Sequence, residues 1–268
     1  MGFRLGWFST GRDEAARELL RVVWRKIKEG FIPAQLSFVF CNREKGEEEE
    51  SDRFLELCKR LGLFTLTLSE RKFLPDLRRR DKEAWRAAYH KEVARLVEPF
   101  GADVIMLAGY MLIVSPQMCR AFPMVNLHPA LPGGPTGSWQ EVIWKLISEG
   151  ASRSGVMIHL VTEELDRGPV LTYCSFPIKG GKLSALWREV EGKEIEEIRR
   201  EVGEDLLLFR VIREEGVKRE LPLIALTLKT LAEGRMKLKE GRVLDGEGRP
   251  VSGIDLTEEV ERALREGL

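Results

Sequence analysis

DVIMLAGYMLIVSPQMCRAFPMVNLHPALPGGPTG (Asp103–Gly137) is the stretch on which the fold turns. Asp103 to Ala108 is an almost unbroken apolar run, of the kind a strand buried on both faces requires, and Gly109 closes it. A second short strand, Met124 to Leu127, runs into HPALPGGPTG, whose three prolines and three glycines forbid regular structure and mark a shaped loop at a strand end. Pro129 lacks a backbone donor and ends the strand. Asn126 and His128, two residues apart, therefore project from one face at its carboxyl edge. Open parallel sheets place their ligands at that edge.

Working outward, short apolar runs alternate with charged amphipathic stretches, the pattern of strands joined by crossover helices. Phe3 to Phe8 reads as a strand, Glu14 to Lys28 as a helix with Ala15, Leu19, Val22, Val23 and Ile27 at helical spacing, and Leu36 to Cys41 as the next strand. The acidic run Glu47 to Glu50 reads as a solvated loop, followed by a helix near Asp52 to Leu61, a strand Phe64 to Leu68 and a long basic helix from about Asp81 to Pro99. Beyond the Pro/Gly loop come a helix from Gln140 to Glu149 and a strand pair, Gly155 to Val161 and Val170 to Phe176, around the turn TEELDRG. Lys182 to about Glu215 is charge-dense with helical spacing and reads as an added helical segment. Leu223 to Leu231 follows as a helix. Met236 to Leu238 and Arg242 to Leu244 form a hairpin, Asp245 to Gly248 a turn, and Thr257 to Leu268 a surface helix capped by Thr257. The expectation is an α/β fold: an open, mostly parallel twisted sheet flanked by helices, with an added helical segment and a C-terminal hairpin. Residues 1–268 form one domain in this reading, with the insertion at about 182–215.

The 43 basic and 43 acidic residues cancel, so no net positive field favours nucleic acid. No apolar run reaches the roughly 18 residues a membrane span needs, and the N-terminus lacks a signal-peptide pattern, so a cytoplasmic address is expected. Cys41, Cys58, Cys119 and Cys174 are dispersed without a CxxC pair, which points to reduced thiols rather than disulfides or a metal site.

The chemistry-bearing residues are Asn126, His128 and, on the turn between two apolar strands, Asp166, with Gly168 allowing a tight return. Taken singly, each has an ordinary reading: a strand-end cap, a satisfied core histidine, a turn cap. Together beside a Pro/Gly loop they suit attack of a neutral amine on a formyl carbon through a tetrahedral intermediate. Asn126 would donate to the oxyanion, His128 would move protons, and Asp166 would raise the His128 pKa and hold its working state.

DVIMLAGYMLIVSPQM, VNLHPALPG and GVMIHLVTEELDRGPVL, in that order, resemble the phosphoribosylglycinamide formyltransferase family. The likeness runs from Phe3 to about Phe176 and resumes over Leu221 to Ile254. It implies an open parallel sheet, 10-formyltetrahydrofolate as formyl donor, and phosphoribosylglycinamide or a related small molecule of purine synthesis as amine acceptor. It also implies the stated roles for Asn126, His128 and Asp166. The family's folate pocket maps onto Arg86, Met111, Leu112, Ile113, Val114, Thr162, Glu163, Glu164 and Leu165, although the Met111 to Val114 segment also reads as ordinary core. His159 matches a family histidine behind the site, whereas His90, in a charged helix, reads as a surface residue. The family's phosphate-binding turn maps onto Gly11, Arg12 and Asp13. Gly11 is kept, Asp13 brings a negative charge to the phosphate position, and Arg12 brings a cation. Leu112 stands where the family usually has arginine, and the 182–215 segment is longer than its counterpart. Glu215 falls near the family's acceptor-binding acid.

Three other readings compete. A formyltetrahydrofolate hydrolase would use the same residues with water as nucleophile, but usually carries an amino-terminal regulatory domain. A methionyl-tRNA formyltransferase would need a basic tail region for tRNA, which is not found. A non-catalytic folate or nucleotide binder would keep the fold without turnover. The expected partners are a small-molecule amine and folate, with no nucleic acid, membrane or metal, and a homodimer is left open.

Overall fold

The computed structural model describes residues 2–267. Its central sheet has eight strands in the order β10-β7-β6-β5-β4-β1-β2-β3. These are β1 (Phe3–Ser9), β2 (Ala34–Cys41), β3 (Thr65–Thr67), β4 (Val104–Leu107), β5 (Met124–His128), β6 (Arg153–Leu160), β7 (Val170–Pro177) and β10 (Ile254–Asp255). From β3 to β5 every pairing is parallel. β6 then runs antiparallel to β5 and to β7, and β10 lies parallel to β7. The hairpin β8 (Met236–Lys239) with β9 (Arg242–Asp245) stands apart as a two-stranded sheet.

Both sheet faces are covered, which is why the strands read as near-continuous apolar runs. Successive side chains alternate between two cores. Leu5, Trp7, Val39, Cys41, Val104 and Met106 face one layer. It holds α1 (Glu14–Lys28), α6 (Trp139–Ser148) and α9 (Leu207–Ala232). Phe8, Phe38, Phe40, Ile105 and Leu107 face the other, against α4 (Lys82–Val97) and α5 (Pro116–Ala121). Gly6 is required between them: a Cβ there would come within 2.6 Å of the Phe38 ring.

Several expectations are corrected. The acidic run is not a solvated loop, because α2 (Glu49–Arg60) starts inside it. Glu50 pairs with the buried Arg17, and Glu47 accepts from the Ser69 hydroxyl and the Glu44 N–H. The basic helix stands where expected, as α4, with Asp81 capping it by accepting from the Glu83 and Ala84 N–H groups, while a short helix the sequence did not suggest, α3 (Pro75–Arg80), precedes it. The 182–215 region contains α7 (Ser184–Val190), α8 (Ile195–Glu201) and the first part of α9, which continues unbroken through Pro222 into what the sequence suggested was a separate closing helix. Thr257 is the first residue of α10 (Thr257–Glu266), and Asp255 accepts from its N–H and hydroxyl. His90 is buried rather than on the surface. It shares a helix face with Trp85, Tyr89, Val93 and Val97, its Nε2 lies 3.3 Å from the Tyr110 hydroxyl, and the Ser115 N–H donates to its Nδ1. Burial pushes its pKa down to about 4.

Among the described residues no helix is long and apolar enough to cross a membrane.

Candidate active site

The sheet's strand order reverses direction at the β1–β4 boundary, so the connections leaving these two strands part to opposite sides and leave a crevice at their carboxyl ends. A cleft of about 360 Å³ opens there. It is lined by the segment after β1, the segment after β4, the end of β5, and the turn that follows β6.

Asn126, His128, His159 and Asp166 meet at its floor. Asn126 and His159 are direct cross-strand neighbours on β5 and β6, and the Asn126 Nδ2 lies 3.3 Å from the His159 Nε2. The His159 Nδ1 sits 2.9 Å from the Leu160 carbonyl, and its Nε2 lies between the Asn126 carboxamide and Asp166 Oδ1, 3.5 Å from the latter. The Asn126 Nδ2 also donates to Asp166 Oδ1, 3.4 Å away. Both Asn126 bonds are long and therefore weak, so an incoming oxygen can compete for the carboxamide at little cost.

Asp166 reaches the floor because its backbone is left-handed, with φ 53°, a region Asp and Asn tolerate better than other side-chain-bearing residues. Gly168 makes the return possible, since a Cβ there would stand 1.8 Å from the Leu160 carbonyl oxygen. Oδ2 of Asp166 accepts from the Gly137 N–H at 3.0 Å and faces the His128 Nδ1 at 3.6 Å. The other ring nitrogen of His128, Nε2, donates to the Pro135 carbonyl at 2.8 Å. The Pro/Gly loop is thus tied to both residues.

These bonds fix the protonation states. Burial holds the His128 pKa below the ordinary histidine value, outweighing the attraction of Asp166, so the expected upward shift is reversed. The ring is neutral near pH 7, with its proton on Nε2 and a lone pair on Nδ1 toward Asp166 and the cleft. Burial pushes Asp166 up, but hydrogen bonding to His159, the His128 charge and the Gly137 N–H bring it below the usual carboxylate range. Asp166 is ionised and ready to stabilise His128 once that ring gains a proton.

One wall is apolar and exposed: Met111, Ile113 and Leu165 show 44%, 46% and 48% of their surface. Leu112, Val114, Thr162 and Glu164 line the same cleft. Of the other residues assigned to the folate pocket, Arg86 lies on α4 and Glu163 pairs with Arg120, and neither is among the lining residues. Arg12 and Asp13 line the opposite end, whereas Gly11 is packed against Phe54. Glu215 points elsewhere, to Lys218 and Arg219. Two residues that sequence reasoning missed stand in its place on α9: Arg213 and Glu220, joined at 2.6 Å, with the Arg213 guanidinium 4.7 Å from the centre of the Trp139 ring. Their seven-residue spacing, two helical turns, was the available signal.

A carboxamide, a neutral imidazole and an ionised carboxylate at the rim of a mostly parallel α/β sheet can together donate to an oxyanion and move a proton, the two tasks acyl transfer needs. Residues 19–194 match the formyl transferase family, and the chain belongs to it. The phosphoribosylglycinamide formyltransferase of Escherichia coli (strain K12) is 28% identical over 175 residues, covering 63% of this chain and 68% of that protein. Its counterpart from Haemophilus influenzae is 28% identical over 160 residues, covering 59% of this chain and 63% of that protein. A solved phosphoribosylglycinamide formyltransferase from Coxiella burnetii superposes with a TM-score of 0.66 at 17% identity, over 95% of this chain and 99% of that one. That likeness shows the fold.

Proposed function

We propose that this protein transfers the formyl group of 10-formyltetrahydrofolate to a primary amine, with Asn126, His128 and Asp166 as its catalytic residues. The observation that carries the reading is their convergence on one cleft at the sheet's carboxyl edge. The neutral amine attacks the formyl carbon, and the Asn126 carboxamide donates to the oxyanion that develops. His128 Nδ1 takes a proton from the amine nitrogen, and Asp166 stabilises the imidazolium. Collapse breaks the bond from the formyl carbon to N10 of the folate, and N10 receives the proton. The products are a formamide and tetrahydrofolate.

Met111 to Val114 and Leu165 supply the apolar wall against which a flat heterocycle would pack. The relatives' names support phosphoribosylglycinamide as the first acceptor to try. The test is loss of 10-formyltetrahydrofolate with and without amine. Amine-dependent loss with formamide formation is expected. Loss at the same rate without amine would make the protein a hydrolase, and binding without loss would make it a folate binder.

A further inference from the structure

We infer that His90, buried behind the cleft, is a positioning residue for the apolar wall against which the formyl donor packs, an inference that rests on the formyl-transfer reading above. The wall segment, residues 110–114, is irregular chain between β4 and α5. Its side chains alternate. Tyr110 and Val114 are buried in the layer against α4 and α5, with Leu112 packed on it, while Met111 and Ile113 stand exposed in the cleft. Extended chain gives this period of two, and a slip by one residue would exchange the faces. The segment lies outside the strands of the sheet, so ladder hydrogen bonds do not fix that register.

Side chains from elsewhere fix it instead. At its start the Met111 N–H donates to the Thr10 hydroxyl at 2.9 Å, and the Tyr110 hydroxyl lies 3.3 Å from His90 Nε2. Just past its end the Ser115 N–H donates to His90 Nδ1 at 3.2 Å. One imidazole therefore meets both ends of the wall, from a buried position on α4 that does not line the cleft. The Arg86 carbonyl also lies 3.1 Å from Nδ1, so two tautomers compete. With the proton on Nε2, the ring accepts from Ser115 and donates to Tyr110, and Arg86 keeps its helical bond from the His90 N–H. With the proton on Nδ1, the buried Ser115 N–H is left unpaired, which is the costlier arrangement. The favoured tautomer is the one that ties both ends.

Isothermal titration with tetrahydrofolate, a ligand of the donor site that needs no turnover, tests this in three variants. His90→Leu fills the space and removes both ties, and its Kd should rise by about tenfold or more. His90→Gln offers a carboxamide that can accept from Ser115 and donate to Tyr110, and should recover part of that loss. Tyr110→Phe keeps the ring packed on Phe8 and Phe40. It should weaken binding by about two- to fivefold, and add nothing in the His90→Leu background, where that tie is already gone. In turnover, KM for 10-formyltetrahydrofolate should follow these Kd values, with kcat at saturating donor within about twofold of the parent. A His90→Leu protein that melts cooperatively and binds tetrahydrofolate like the parent would overturn the inference while leaving formyl transfer intact, as would additive effects of the two substitutions. If His90→Leu does not fold, Tyr110→Phe decides, and parental affinity there would overturn the inference. A parent protein that binds no tetrahydrofolate would remove the formyl-transfer reading and this inference together.

Discussion

Asp166 shows how one backbone angle supports the proposed chemistry, and it separates charge from shape. Asparagine also accepts the left-handed backbone at that position. Asp166→Asn should therefore fold normally by thermal melting yet lose on the order of 100-fold or more in kcat, because the imidazolium loses its counter-charge. His128 gives a pH prediction of definite sign. Its pKa is depressed by burial and the neutral ring is the active form, so kcat/KM should be level near neutrality and fall only on an acid limb below the ordinary histidine range. A limb centred above that range would contradict the assignment. At this scale the sequence was generous, since Asn126, His128 and Asp166 follow from a strand end and a tight turn. His159 lies behind the site as the sequence suggested, but its contact with Asn126 comes from antiparallel pairing across β5 and β6, which no local pattern reveals.

The elements that hold those residues make their own predictions. Gly168→Ala would drive a Cβ into the Leu160 carbonyl, so the turn bearing Asp166 must move; activity should drop more than tenfold, with a lowered melting temperature as the second readout. In α9, Leu223 is fully buried, and Leu223→Ala should cost about 2 to 5 kcal/mol in urea unfolding. The strands and α1 were legible because a single period, 2 or 3.6, governs each. The continuity of α9 was not, since its first half is charge-rich, its second half apolar, and Pro222 lies between them. The acidic stretch opening α2 was misread for a related reason: Arg17 and Ser69, which receive Glu50 and Glu47, are far away in sequence.

Across the whole molecule, acid should weaken the fold before it strips every carboxylate of its charge. His90 is neutral in the folded protein with a pKa near 4, while the unfolded chain would bind a proton at the ordinary histidine value. The unfolded state therefore holds more protons between those two values. Stability falls as pH drops through that window, by on the order of 3 kcal/mol from this group. Urea midpoints at pH 7 and pH 4.5 should differ less in His90→Gln than in the parent, and an equal difference would refute the account. The global sheet order lay beyond local patterns, as did the pairing of β10 with β7, because a two-residue strand carries no periodicity. α9 has one more consequence: the helix that presents Arg213 and Glu220 is rooted by Leu223 and Ile224 in the interior. This wall of the cleft is thus not a detachable module. A chimera spliced at residue 215 would cut a rod in mid-span, whereas one spliced after Ala232 would transplant wall and root as one piece.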